Sequence, residues 1–298
     1  MGRVWIGVLL VGALTIGCAS PPPAPPPPTQ PPATGPVAAS FRVPSDSEIP
    51  ADQVGASIRR GRALLERTRD SLPAHVGNNL RCASCHLDAG TRPNAAPWVG
   101  VYSRFPQYRT RNAKVNVIED RINDCFQRSL AGKALALGSR DMTDIIAYMA
   151  FLSRGVAPPG DVPGQGFKKM DPLVPDTAAG RLAYAGQCAR CHGADGGGMA
   201  NPDPRGTPSY YPPLWGPKSY TIGAGMARLR TAASFIRANM PFDQPGTLSD
   251  RQAFDLAGFV VSRSRPDFVA KALDWPNGDA PPDVAYPTNA AGSPKERR

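Results

Sequence analysis

Two five-residue motifs constrain this chain more than anything else in it. Cys82-Ala83-Ser84-Cys85-His86 and Cys188-Ala189-Arg190-Cys191-His192 both read C-x-x-C-H. In that pattern two thiols add to the vinyl groups of a c-type haem and the adjacent His reaches the iron. The 298 residues hold only three His and six Cys, so the motifs take two of the imidazoles and four of the thiols. Paired C-x-x-C units can also make a structural zinc site. Here the gap from Cys85 to Cys188 is far wider than a zinc ribbon uses, and a zinc site built from the four thiolates would leave both histidines idle. A thioredoxin-type redox pair needs a βαβ setting, which is missing. The reading that uses every group is two covalently bound haem c, held by Cys82, Cys85, His86, Cys188, Cys191 and His192.

The sequence around each motif repeats one plan. Residues 52–69 carry Val54, Ile58, Ala63, Leu64 and Leu65 at mostly helical spacing, and residues 177–188 form a shorter helix leading into the second motif. Loop-rich sequence follows each motif, and a helix closes each half. Ser139 can cap the first of these, with an apolar stripe of Met142, Ile145, Ile146, Met149 and Leu152. Ser249 with Gln252 makes a capping box for the second, whose stripe is Ala253, Leu256, Ala257, Val260 and Val261. No convincing alternating strand pattern appears. The expectation is an all-α fold of two tandem class I cytochrome c domains, at 41–155 and 177–275. Residues 156–176 hold five prolines and read as a linker. Residues 276–298 read as a polar, loosely ordered tail.

The N-terminus reads as an export signal over residues 1–17. Arg3 is followed by an apolar region thirteen residues long, Val4 to Ile16, too short to span a membrane. Leu14-Thr15-Ile16-Gly17-Cys18 resembles a lipobox, which would leave Cys18 as a lipidated N-terminus. Ordinary secretory cleavage near Ala19 would instead discard it. Residues 18–40 then form a stalk, with ten prolines in the sixteen positions 21–36. As polyproline II those sixteen would reach roughly 50 Å at ~3.1 Å per residue. The expected location is the periplasm, with a lipid anchor through Cys18. The formal net charge of +10 could suggest nucleic acid, but export argues against it. Haem propionates offset much of that charge, and the remainder could steer anions.

The distal ligands are less constrained. In the second half Met240, in Asn239-Met240-Pro241, lies where a class I cytochrome c presents its distal Met. Met226 is the rival, and core packing would explain either. A carbonyl of Pro212 or Pro213 could orient His192. The first half has no Met-Pro step. Met142 and Met149 belong to the helix stripe, and His75 reads as a surface residue beside Pro73. Cys125 remains, in a helix whose buried stripe is Ile118, Ile122 and Phe126. Arg121 and Arg128, at i−4 and i+3, would flank the thiol. Cationic neighbours favour thiolate, and a thiolate opposite His86 would lower the iron's potential. Guanidinium forks suit polyoxygen anions, and Arg109 and Arg111 could complete such a site. The bland alternatives are a small buried Cys and solvated arginines.

On these residues the chain resembles the dihaem thiosulfate dehydrogenases that form tetrathionate. The matching stretches include Val76-Gly77-Asn78, Phe105-Pro106-Gln107-Tyr108-Arg109, Arg121-Ile122-Asn123-Asp124-Cys125-Phe126-Gln127-Arg128-Ser129 and Phe235-Ile236-Arg237-Ala238-Asn239-Met240-Pro241. The resemblance spans roughly residues 50–265. It implies an active-site haem ligated by His86 and Cys125, and thiosulfate oxidised at Cys125 and held by Arg111 and Arg121. Two electrons would pass to a His192/Met240 haem and on to an external acceptor such as a small periplasmic cytochrome c. It also implies that the reaction can run backwards, as a tetrathionate reductase. Some relatives have a ligating Lys before the distal Met; Asn239 stands there, so no Lys/Met exchange is expected. A non-catalytic dihaem electron shuttle, a subunit like the sulfur-oxidising cytochromes and a haem sensor are the competing readings. The shuttle would need neither Cys125 nor the arginines.

Overall fold

A computed structural model of the chain describes residues 1–2, 41–156, 162–200 and 210–288. The expected h-region, Cys18 and the Pro-rich stretch lie outside these residues, as do 157–161 of the linker and the tail from 289. Helices dominate the described residues: α1 (Gln53–Glu66), α2 (Thr68–Ser71), α3 (Leu87–Gly90), α4 (Ile118–Asp124), α5 (Arg140–Phe151), α6 (Thr177–Gln187), α7 (Ala189–His192), α8 (Leu229–Asn239) and α9 (Asp250–Val261). None is long and apolar enough to cross a membrane. Two short antiparallel strand pairs were not expected. They are β1 (Gln107–Arg109) with β2 (Lys114–Asn116), and β3 (Met199–Ala200) with β4 (Tyr210–Tyr211). Strands of two or three residues are too short to show a period in sequence.

Each half is built on a crossing of its first and last helices. Asp52 caps α1 by accepting from the Gly55 N–H at 3.0 Å, and α1 buries Ile58, Leu64 and Leu65. It crosses α5, which Ser139 caps through the Met142 N–H at 3.3 Å. The helices approach so closely that a Cβ on Gly61 would collide with the Asp144 carbonyl. The Asp144 carboxylate, buried beneath, accepts from Ser57 and Arg60. The second half repeats the device. Asp176 caps α6 on the N–H groups of Ala178 and Ala179. Ser249 and Gln252 cap α9 reciprocally, at 3.2 and 2.8 Å. A Cβ on Gly180 would collide with the Asp255 carbonyl, and the Asp255 carboxylate accepts from the Asp176 N–H at 2.8 Å.

The halves interlock through two segments of the second. A loop buries Tyr220, Ala224 and Ala227 in the core of the first half, beside Ile122, Phe126 and Trp98. Backbone bonds seat it: Asn79 N–H to Lys218 O at 3.0 Å and Thr221 N–H to Arg128 O at 3.1 Å. The chain beyond α9 then returns to the first half. There Trp275 is 2 % exposed and Tyr286 8 %. Within the tail expected to be loose from residue 276, Tyr286 is thus anchored, against partners too distant in sequence to be inferred locally.

Candidate active site

The first motif sits on a single turn, Cys82–Ser84, after α2. Thr68 of α2 fixes its start by accepting from the Cys82 N–H at 3.1 Å. His86 follows, its ring stacked on Trp98 with centroids 4.7 Å apart. His86 Nδ1 lies 2.5 Å from the Ala96 carbonyl oxygen. A carbonyl only accepts, so Nδ1 carries the proton and Nε2 keeps its lone pair. Burial pushes the imidazole pKa down to about 4, helped by the nearby Arg121 charge. The ring is therefore neutral and fit to ligate. Burial also pushes the Cys82 and Cys85 thiols up to about 12, and the charge of Cys125 acts in the same direction on both. Neither is in a disulfide.

Cys125 stands at a break in its helix. The α-helix expected over 118–129 holds to Asp124 and then widens into a π turn, Cys125–Ser129, in which the Leu130 N–H reaches the Cys125 carbonyl at 3.0 Å. Such turns mark functional sites often. Arg121 donates from Nη1 to the Cys125 sulfur at 2.9 Å, and its electrostatic interaction with Cys125 is the largest cause of its raised pKa. Arg109 on β1 and Arg111 are both half-buried. Burial lowers both guanidinium pKa values, aided at Arg109 by Arg121 and at Arg111 by Arg128. Arg111 donates to the Gly223 carbonyl at 2.7 Å. Among the described residues no carboxylate pairs with Arg109, Arg111 or Arg121.

Arg128 corrects the expectation that two guanidiniums flank the thiol. It is buried, bonded to both oxygens of Asp274 at 2.7 and 2.8 Å and to Asp124 at 2.9 Å. It also stacks on Phe268, 4.2 Å from the ring centre. Two carboxylates neutralise it, and Asp274 lies 146 residues away in sequence, beyond the reach of helical spacing. Asp274, Trp275 and Tyr286 were missed for the same reason; the only local sign was a Trp at the head of a polar tail. His75, expected at the surface, is half-buried, its ring edge-on to Phe126 with centroids 6.3 Å apart and its Nδ1 3.1 Å from the Ala134 carbonyl.

The second motif opens on a different chemistry. His192 Nδ1 bonds the Pro212 carbonyl at 2.8 Å, and burial lowers its pKa, so it too presents a free Nε2. Cys188, Cys191 and His192 line a cavity of about 710 Å³ with Phe235, Ile236, Leu256 and Val260. Met226 and Met240 both line it. The same cavity reaches Ala83, Ser84 and Cys85 of the first motif, so one wall of the second site is the first motif itself. Asn239 is turned from the cavity's chemistry: its amide donates to Asn94 O at 3.2 Å and Phe235 O at 3.1 Å. In both halves free thiols, a neutral imidazole and apolar surroundings fit a covalent haem.

Residues 74–157 match the family model "SoxA/TsdA, cytochrome c domain", and residues 175–260 match "Cytochrome C oxidase, cbb3-type, subunit III". A thiosulfate dehydrogenase of Psychrobacter arcticus is 47% identical over 250 residues, covering 82% of this chain and 74% of its own. The chain belongs to the thiosulfate dehydrogenase family. The enzyme of that name from Allochromatium vinosum is 46% identical over 231 residues, covering 76% of this chain and 84% of its own. A solved structure, thiosulfate dehydrogenase (TsdBA) from Marichromatium purpuratum in its "as isolated" form, superposes with a TM-score of 0.71 at 35% identity. It covers 80% of this chain, which spans only 52% of that longer one. This family member has two cytochrome c domains and two covalently bound haem c groups.

Proposed function

We propose that this chain joins two thiosulfates into tetrathionate at Cys125 and sends the two electrons out through its second domain. The Arg121–Cys125 contact at 2.9 Å carries the reading. A cation with no carboxylate partner is what keeps a sulfur as thiolate and draws a second anion to it. His86 and Cys125 would hold the first haem iron, and His192 and Met240 the second. When bound, the haems supply the electron sink and the path to an external acceptor, a small periplasmic cytochrome c in this reading.

The protein's own residues handle charge and sulfur. Two free dianions 4 Å apart repel by ~16 kcal/mol at an effective dielectric of about 20. Cys125 lowers this cost by bonding first. Its thiolate and the outer sulfur of one thiosulfate form an S–S bond, with loss of two electrons and no proton. The bound group then carries one negative charge instead of two, which halves the repulsion. The outer sulfur of the second thiosulfate attacks the sulfur held by Cys125. The S–S bond to Cys125 breaks, tetrathionate leaves and the thiolate is restored. Arg109 and Arg111 bind the sulfonate oxygens through both steps, and Arg121 holds the returning thiolate. Arg128, already neutralised, braces the π turn. The same steps reversed reduce tetrathionate. The enzyme works in the periplasm, tethered through a lipid on Cys18, and binds no nucleic acid.

The test is thiosulfate oxidation by the haem-loaded protein with ferricyanide as acceptor, beside Cys125→Gly. The variant is expected to keep both haems and lose kcat/KM by roughly a thousandfold or more. A wild type that exchanges electrons but turns over thiosulfate in neither direction would be a shuttle.

A further inference from the structure

Two consecutive residues far along the chain each grip one arginine: Asp274 the Arg128 that braces the Cys125 turn, and Trp275 the Arg111 of the site itself. Asp274 holds Arg128 at 2.7 and 2.8 Å. Trp275 holds Arg111 twice: its N–H donates to the Arg111 carbonyl at 2.7 Å, and its ring lies under the guanidinium, 4.8 Å from ring centre to Cζ. Trp275 has φ +52°, left-handed backbone that costs a bulky residue strain. In that strained conformation its N–H and its ring both meet the same arginine. Tyr286 backs the arrangement, its ring 6.3 Å from Trp275 and its hydroxyl 2.5 Å from Asp274 Oδ2. With Nη1 already on the Gly223 carbonyl, Arg111 is clamped between an aromatic face and a carbonyl. The other N–H groups of its fork remain for an anion.

We propose that Trp275 is a positioning residue for thiosulfate: it fixes the Arg111 guanidinium before substrate arrives, so the second cytochrome domain completes the anion site of the first. This rests on the reading that Arg111 binds thiosulfate. Filling a core explains a buried Trp but not a left-handed one bonded twice to a single arginine. A long, flexible side chain fixed in advance loses less freedom on binding. The effect therefore falls on substrate affinity, and electron release at Cys125 is spared.

The test uses the haem-loaded enzyme and four variants: Trp275→Leu, Trp275→Phe, Arg111→Lys and the double variant Arg111→Lys/Trp275→Leu. Trp275→Leu should raise KM for thiosulfate about tenfold with kcat within about twofold, and Trp275→Phe should recover most of the loss. The double variant should be no worse than Arg111→Lys alone, because the two residues act as one unit. If Trp275→Leu fails to load both haems, Trp275→Met, which also removes the aromatic face, gives the same comparison with and without Arg111→Lys. A raised KM in Arg111→Lys but not in the variant that removes the aromatic ring at 275 overturns the proposal alone, as does a double variant whose losses multiply. An unchanged KM in Arg111→Lys overturns the thiosulfate-binding reading of Arg111 and the proposal together.

Discussion

Gly61 against Asp144 in the first half and Gly180 against Asp255 in the second make the same helix crossing. Each crossing supports a C-x-x-C-H whose His is oriented by a backbone carbonyl, Ala96 in one half and Pro212 in the other. What faces each site differs. The first gathers Cys125, Arg109, Arg111 and Arg121, and the other three all bear on the titration of Arg109. The second offers two thioethers and an apolar wall. One scaffold thus holds one site dominated by charge and one that is largely apolar. The division is set by the segments between the motif and the last helix, and function follows the site rather than the fold. The halves are also unequal in dependence, because the first site borrows Gly223, Asp274 and Trp275 from the second.

The contrast predicts effects that separate the halves. Arg121→Leu removes the cation on the Cys125 sulfur, and should lower kcat/KM for thiosulfate about a hundredfold. The second haem's potential should stay unchanged in the same sample. A comparable loss from Arg190→Leu, in the exposed pair with Asp243 beside the second motif, would erase the distinction. Gly61→Ala and Gly180→Ala probe what the halves share. Each should destabilise the protein by about 2 kcal/mol, read in thermal or denaturant unfolding; a large cost at only one would mean the crossings are not equivalent. Met240→Leu probes the second site alone. It should lower one haem potential and reduce kcat about tenfold with KM for thiosulfate unchanged, while Met226→Leu should do neither. The opposite pattern would exchange the two methionines.

What was legible in sequence was local. The C-x-x-C-H motifs, the Ser139 cap and the Ser249/Gln252 box each lie within a few residues, so adjacent side chains report them directly. The pairing of Arg121 with Cys125 was readable too, because i and i+4 share a helix face. Arg128 shows where that reasoning fails. Its spacing from Cys125 is helical, but the π turn and the buried Asp274 decide where its guanidinium goes. The clamp on Arg111 joins Trp275 and Gly223 to a loop more than a hundred residues earlier. No periodicity carries such a contact. The hairpin that presents Arg109 is three residues long on each side, too brief for alternation to show.

The central claim is that Cys125 bonds to sulfur during turnover. The oxidised enzyme, incubated with tetrathionate and no reductant, tests it in one half-reaction, since a thiolate attacking tetrathionate releases thiosulfate without electron transfer. Peptide mass analysis should then find one thiosulfate-derived group on the Cys125 peptide, with one equivalent of free thiosulfate, and neither in Cys125→Gly. An unmodified Cys125 in an enzyme that turns over normally would contradict the account.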